Sequence, residues 1–236
     1  MSYATLFEPM SDALAFGRIY PLFHGNKPDG YIFSRGEDIG INLKEGVKQL
    51  RVLADKGYGP AIHQLAMCYY DGKGVRKSLK EAFQYFEAAL QAGFAPSAGM
   101  LAVFFYGTNL ADKVVPRDES KAFKLNEVAA RAGAEGSMTN LANNYRSGMG
   151  TAPSEYYAYI WATLAVRCTP LPMRNYMAEN LAREKAASLS ADSLSAAEVE
   201  MTLLRQMMNP ILVEQPNYWK YFANLTATHL PDPSRT

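Results

Sequence analysis

Residues 57–93 read GYGPAIHQLAMCYYDGKGVRKSLKEAFQYFEAALQAG. The pattern is a helix, a glycine turn and a second helix, and it returns further along the chain. Gly57, Gly93 and Gly133 mark the returns, 36 and 40 residues apart, the second interval carrying a four-residue insertion. A self-similar unit of about 20–50 residues predicts a solenoid, since one unit cannot bury its apolar face without a neighbour. On the first helix, Ala61, Leu65 and Tyr69 correspond to Ser97, Leu101 and Phe105, then to Ser137, Leu141 and Tyr145. Spacing of i, i+4, i+8 is one helix stripe, with a small residue where two backbones come close.

On the second helix, Ala82, Phe83, Phe86 and Ala89 correspond to Ala122, Phe123, Asn126 and Ala129, then to Ala158, Tyr159, Ala162 and Ala165. Small residues at i and i+7 let the two helices of a unit pack closely. Asp71-Gly-Lys-Gly74-Val75 and Ser147-Gly-Met-Gly150 supply residues that tolerate positive φ, as an abrupt helix end requires.

The motif Gly57-x-x-x-Ala61-x-x-x-Leu65-x-x-x-Tyr69-x-x-Gly72-x-Gly74-Val75, followed by Lys80-Glu81-Ala82-Phe83 and Ala88-Ala89-x-x-Ala92-Gly93, resembles the suppressor-enhancer-of-lin-like (SEL-like) repeat, a relative of the tetratricopeptide repeat. It is closest over 57–93, good over 133–166 and weaker over 94–132, where Gly107-Thr-Asn-Leu-Ala-Asp-Lys-Val-Val-Pro116 replaces the double-glycine turn. The resemblance implies an all-α fold, a right-handed α/α superhelix. It also implies a surface for binding proteins as adaptor, regulator or scaffold, and no shared chemistry.

Composition narrows the function classes. With 236 residues and 48% hydrophobic content the chain is long enough to bury a core as one elongated domain. The 24 basic and 23 acidic residues leave a net charge of +1, without the basic excess of a nucleic-acid binder. No apolar run approaches the roughly 18–20 residues of a membrane span. The amino terminus, MSYATLFEPMSDALAF, lacks the basic-then-apolar pattern of an export signal, so a cytoplasmic location is expected. Cys68 and Cys168 are expected as buried free thiols.

The expected organisation is a single solenoid domain over 1–236. Residues 1–41 form an irregular segment with a degenerate helix, spaced at Ala13, Phe16, Gly17 and Tyr20 and stopped by Pro21. A loop over His24–Gly30 and a short extended piece at Tyr31-Ile-Phe33 follow. Residues 42–56 are a half-repeat helix capped by Asn42, with Val47, Leu50 and Leu53 inward. Repeats then cover 57–92, 93–132 and 133–168, with Ser154 capping the last second helix. Residues 169–209 are read as two capping helices that close the open end of the solenoid. The first runs from Pro172 to Ser188, and the second carries Val199, Leu203, Leu204 and Met207 on one apolar stripe. Residues 210–236 form a tail whose aromatic run, Tyr218-Trp-Lys-Tyr-Phe222, packs back.

Chemistry is sparse. His24, His63 and His229 have no metal-ligand spacing to one another or to Cys, Asp or Glu. Gly72-Lys-Gly74 lacks the rest of a phosphate loop, and no G-x-S-x-G elbow occurs. No catalytic residue, metal or cofactor is expected. The productive reading is a binding face on the first helices, on the side away from the Ala–Leu–Tyr stripe. It carries His63, Met67 and Tyr70, then Gly99, Val103 and Tyr106, then Thr139, Asn143 and Arg146. His63 is read there as a surface or groove residue, and Arg146 as the member able to grip a carboxylate bidentately. The competing reading makes Met67 and Val103 inter-repeat core.

The leading expectation is therefore a non-enzymatic module that binds a protein partner through its concave face. A toxin-neutralising immunity protein or inhibitor is one concrete form, a role in which SEL-like repeat proteins occur among bacteria. A regulatory adaptor in a signalling or envelope pathway is the alternative. A small-ligand or enzymatic protein is the remote one, and a self-assembling structural module a further one.

Overall fold

The structure, a computed structural model, describes residues 10–24, 42–107, 114–169, 175–209 and 212–213. Every regular element among them is a helix. The helices fall into two compact units, which divide between Phe94 and Ala95.

The first unit contains α1 (Met10–His24), α2 (Leu43–Asp55), α3 (Gly59–Asp71) and α4 (Leu79–Gln91), each packed on the next. The second contains α5 (Pro96–Phe105), α6 (Glu119–Ala132), α7 (Glu135–Ser147), α8 (Glu155–Cys168), α9 (Tyr176–Ala186) and α10 (Ala191–Met207). Here α5 to α9 also pack in succession, while α10 lies on α8 and reaches α6.

The two helices of a repeat start differently. Each second helix opens on a polar cap: Asn42, Ser78, Asp118 and Ser154 accept from the backbone N–H three residues on, at 3.1, 3.4, 2.9 and 3.3 Å. Such a cap contributes about 1 kcal/mol by satisfying one orphan donor. First helices α3 and α5 carry no side-chain cap and open on proline, which has no N–H to satisfy.

Burial separates the helices further. Nine of the 13 residues of α3 and six of the ten of α5 are buried, against three of 13 in α4 and four of 14 in α6. Helices α3 and α5 are thus covered on more than one side, whereas α4 and α6 bury a single stripe; α8, with seven of 14 residues buried, is covered on several sides like a first helix. Phe16, Leu50, Leu65, Phe86 and Phe94 are fully enclosed in the first unit. Met138, Leu141, Ile160, Trp161, Leu164 and Met201 centre the core of the second.

Two expectations change. Helix α1 does not stop at Pro21 but continues to His24, so the proline removes one helical N–H bond without ending the helix. On α10 the buried stripe is Ala197, Met201 and Leu204, whereas Val199, Leu203 and Met207 are 62%, 56% and 76% exposed. A helix with apolar residues on several sides offers more than one stripe, and contact with α8 selects the one headed by Met201. The described part of α9 begins at Tyr176 on an Asn175 cap, its side chain accepting from Ala178 N–H at 3.0 Å. The proposed start at Pro172, the loop after His24, the piece at 31–33 and the aromatic run at 218–222 lie outside the described residues.

Candidate functional site

The nine equivalent positions on the first helices divide by depth. The leading member of each trio is a contact within the solenoid. His63 is 8% exposed, its ring centroid 5.2 Å from that of Phe86 and 5.1 Å from that of Phe94. Burial brings its pKa down to about 3, so it is a neutral core residue and not a groove residue. Gly99 lies so close to Ser137 that a Cβ would overlap the serine hydroxyl. Thr139 is buried, and its Oγ1 accepts from Asn175 Nδ2 at 2.8 Å. Phe94 follows α4, Ser137 stands in the first turn of α7 and Asn175 caps α9, so at this register position all three side chains are used by contacts inside their own unit.

The middle members, Met67, Val103 and Asn143, are half-buried. Asn143 donates to the Thr139 carbonyl at 3.0 Å and to the Met177 sulfur of α9 at 3.5 Å. The last members reach furthest out. Tyr70 is half-buried, with the Lys77 ammonium 5.9 Å from its ring centre. Arg146 is exposed and makes no hydrogen bond or ion pair among the described residues. Its charge reaches Glu184 of α9, a carboxyl held low first by Lys185 and in lesser part by Arg146.

Tyr106 has a structural job that its sequence position did not reveal. Its hydroxyl accepts from Asn126 Nδ2 of α6 at 2.6 Å and lies 2.6 and 2.9 Å from the amide nitrogen and oxygen of Asn144 on α7. Asn126 and Asn144 are buried, so this phenol pins three helices together by polar contacts in an otherwise apolar core. Burial pushes the Tyr106 phenol up, against the two amides. Asn126 stood out in the sequence as the one polar residue where Phe86 and Ala162 occupy the equivalent positions, and that irregularity was the available signal.

In the second unit the α5 and α7 positions offer apolar Val103, aromatic Tyr106 and cationic Arg146; in the first, α3 offers Met67 and Tyr70. Tyr176 and Met177 of α9, 63% and 61% exposed, adjoin the α7 positions through the Asn143–Met177 contact. Among the described residues no group of three or more His, Cys, Asp or Glu could hold a metal ion. Burial dominates both thiols and raises Cys168 and, to about 12, Cys68. No described helix is long and apolar enough to cross a membrane.

Helix pairs packed in succession define a helical-repeat protein of the solenoid class. Comparison with known families names the repeat: residues 59–94, 97–133 and 136–169 match the Sel1 repeat, three copies in succession. The crystal structure of a Sel1 repeat protein from Oxalobacter formigenes is similar, with a TM-score of 0.51 and 25% identity over 58% of this chain and 97% of that one. A protective antigen of uropathogenic Escherichia coli strains with an SLR fold aligns at 19% identity and a TM-score of 0.44, over 95% of this chain and 51% of that one. No curated protein matches the sequence significantly. Sel1 repeats generally mediate protein–protein interaction and are typically non-catalytic scaffolds.

Proposed function

We propose that this chain is a non-enzymatic protein-binding module whose partner seats on the accessible side of the first helices. Val103, Tyr106, Asn143 and Arg146 carry the contact on α5 and α7, and Met67 and Tyr70 are the equivalent positions on α3. The observation behind this reading is Arg146: a guanidinium exposed at the end of α7, free of ion pairs among the described residues, and one turn from Asn143, whose amide touches the apolar Met177. Arginine beside apolar surface is a frequent anchor at interface centres, because it combines stacking with bidentate grip of a carboxylate. His63 is left out, being buried.

Two roles suit such a module in the cytoplasm. As an inhibitor of the immunity type it masks the working surface of a toxin; as an adaptor it holds one protein beside another. Affinity isolation from cells that produce the protein, read by mass spectrometry, separates them. A stoichiometric partner lost on Arg146→Ala supports the site, and suppression of that partner's activity by the intact chain marks the inhibitor. Failure to recover any specific protein would count against both roles.

A further inference from the structure

A cleft of about 410 Å³ opens between α8 and α10, lined by Leu164, Arg167, Met201, Thr202, Arg205 and Gln206. Its floor is apolar, since Leu164 and Met201 are each 1% exposed. Its walls are cationic. Arg167 is held in place by a bidentate pair to Glu198, at 2.8 and 2.7 Å, so one guanidinium is already oriented. Arg205 has no hydrogen bond or ion pair among the described residues. Thr202 and Gln206 add hydrogen-bonding groups on the solvent edge. Glu198 is committed to Arg167, which leaves the second guanidinium without a counter-charge of its own.

The edge of this cleft is not polar throughout. Thr202 and Gln206 stand three residues beyond Val199 and Leu203, so they are neighbours on the surface of α10. Val199, Leu203 and Met207 are exposed and repeat every four residues, an apolar strip about 12 Å long at 1.5 Å per residue. A free inorganic anion would use the arginines and leave that strip bare. The strip's length and the paired charge next to it fit a stretch of polypeptide that alternates carboxylates with apolar side chains.

We propose that the α8/α10 cleft is a second binding site, which takes an acidic, apolar peptide segment of a partner protein. Carboxylates of the segment meet Arg205 and the open edge of Arg167, while its apolar side chains cover Val199 and Leu203. The site is built entirely from α8 and α10 and does not depend on the first-helix face.

The test uses two synthetic hexapeptides, acetyl-(Glu-Leu)3-amide and acetyl-(Lys-Leu)3-amide, titrated into the full chain with NMR detection of methyl groups. The acidic peptide is expected to shift Met201, Val199 and Leu203 saturably. Arg205→Glu is expected to weaken that binding at least about tenfold, the loss typical of an interfacial charge reversed in sign. Leu203→Ser should weaken it too, and Arg146→Ala should leave it unchanged. Both cleft substitutions replace exposed side chains, and unchanged helix content by circular dichroism verifies the fold. Equal shifts from the basic peptide, or Arg205→Glu binding as well as wild type, would overturn the proposal. So would inorganic phosphate matching the acidic peptide with no effect of Leu203→Ser, which would reduce the cleft to an anion site.

Discussion

At neutral pH the His63 ring is uncharged, because burial beside Phe86 and Phe94 brings its pKa to about 3. In the unfolded chain the ring takes a proton near its ordinary value of about 6.5. Between those values the unfolded state binds more protons, so stability falls as pH drops below about 6.5 and continues falling toward 3. Above 6.5 both states are neutral and the residue is silent. Chemical denaturation at pH 7 and pH 5 should show His63→Leu losing about 2 kcal/mol less than wild type over that interval. Equal losses would mean that the ring is protonated in place. Tyr106 makes a second residue-scale prediction. Tyr106→Phe removes the acceptor of the Asn126 amide and the partner of Asn144, at a cost of about 1–3 kcal/mol by urea denaturation. Loss of partner binding in Tyr106 variants therefore mixes contact with stability, whereas Arg146 variants isolate contact.

The paired glycines that join the helices of a repeat look alike in sequence but work differently. Gly72 and Gly148 end their first helices at φ of 80° and 74°, where a Cβ would come no nearer than 3.2 Å to a side chain, of Lys77 or Pro153, and no nearer than 3.5 Å to backbone. Gly74 and Gly150 also have positive φ, but there a Cβ would overlap the backbone carbonyl of Leu43 or of Glu119. Those carbonyls lie at the start of the preceding second helices, α2 and α6, so the second glycine is where consecutive repeats touch backbone to backbone. Gly148→Ala is expected to cost about 1–2 kcal/mol from left-handed strain, and Gly150→Ala about 3 kcal/mol or more because overlap is added. Similar unfolding midpoints for the two would contradict this division. This level was also the most legible. The caps at Asn42 and Ser154 and the inward set Val47, Leu50 and Leu53 follow from local chemistry, and all of them are found. What misled was the assumption that each helix buries one stripe. It fails for α3, which is covered on more than one side and so encloses His63. It fails for α10, where the choice between two apolar stripes depends on α8, a contact that spacing along the helix does not encode.

For the molecule as a whole, repetition made the architecture readable, and the same repetition limits what it says about binding. Within their own units His63 is used up by Phe94, Gly99 by Ser137 and Thr139 by Asn175, so the positions left to a partner are fewer than the sequence suggested. The proposed positions that remain are Val103, Tyr106, Asn143 and Arg146 in the second unit and, taken separately, Met67 and Tyr70 in the first. If Arg146 grips a carboxylate of the partner, raising salt from about 0.05 to 0.5 M should weaken the complex of the wild type more than that of Arg146→Ala, since exposed pairs are screened. Equal salt dependence would place the charge contact elsewhere. The most direct test places a photo-crosslinking amino acid at position 103 or 146 on the first helices, or at position 128 on the outer side of α6, where Val128 is 46% exposed. Crosslinks to one partner from 103 and 146, and none from 128, are the predicted result. Crosslinks from 128 alone would contradict a first-helix binding face.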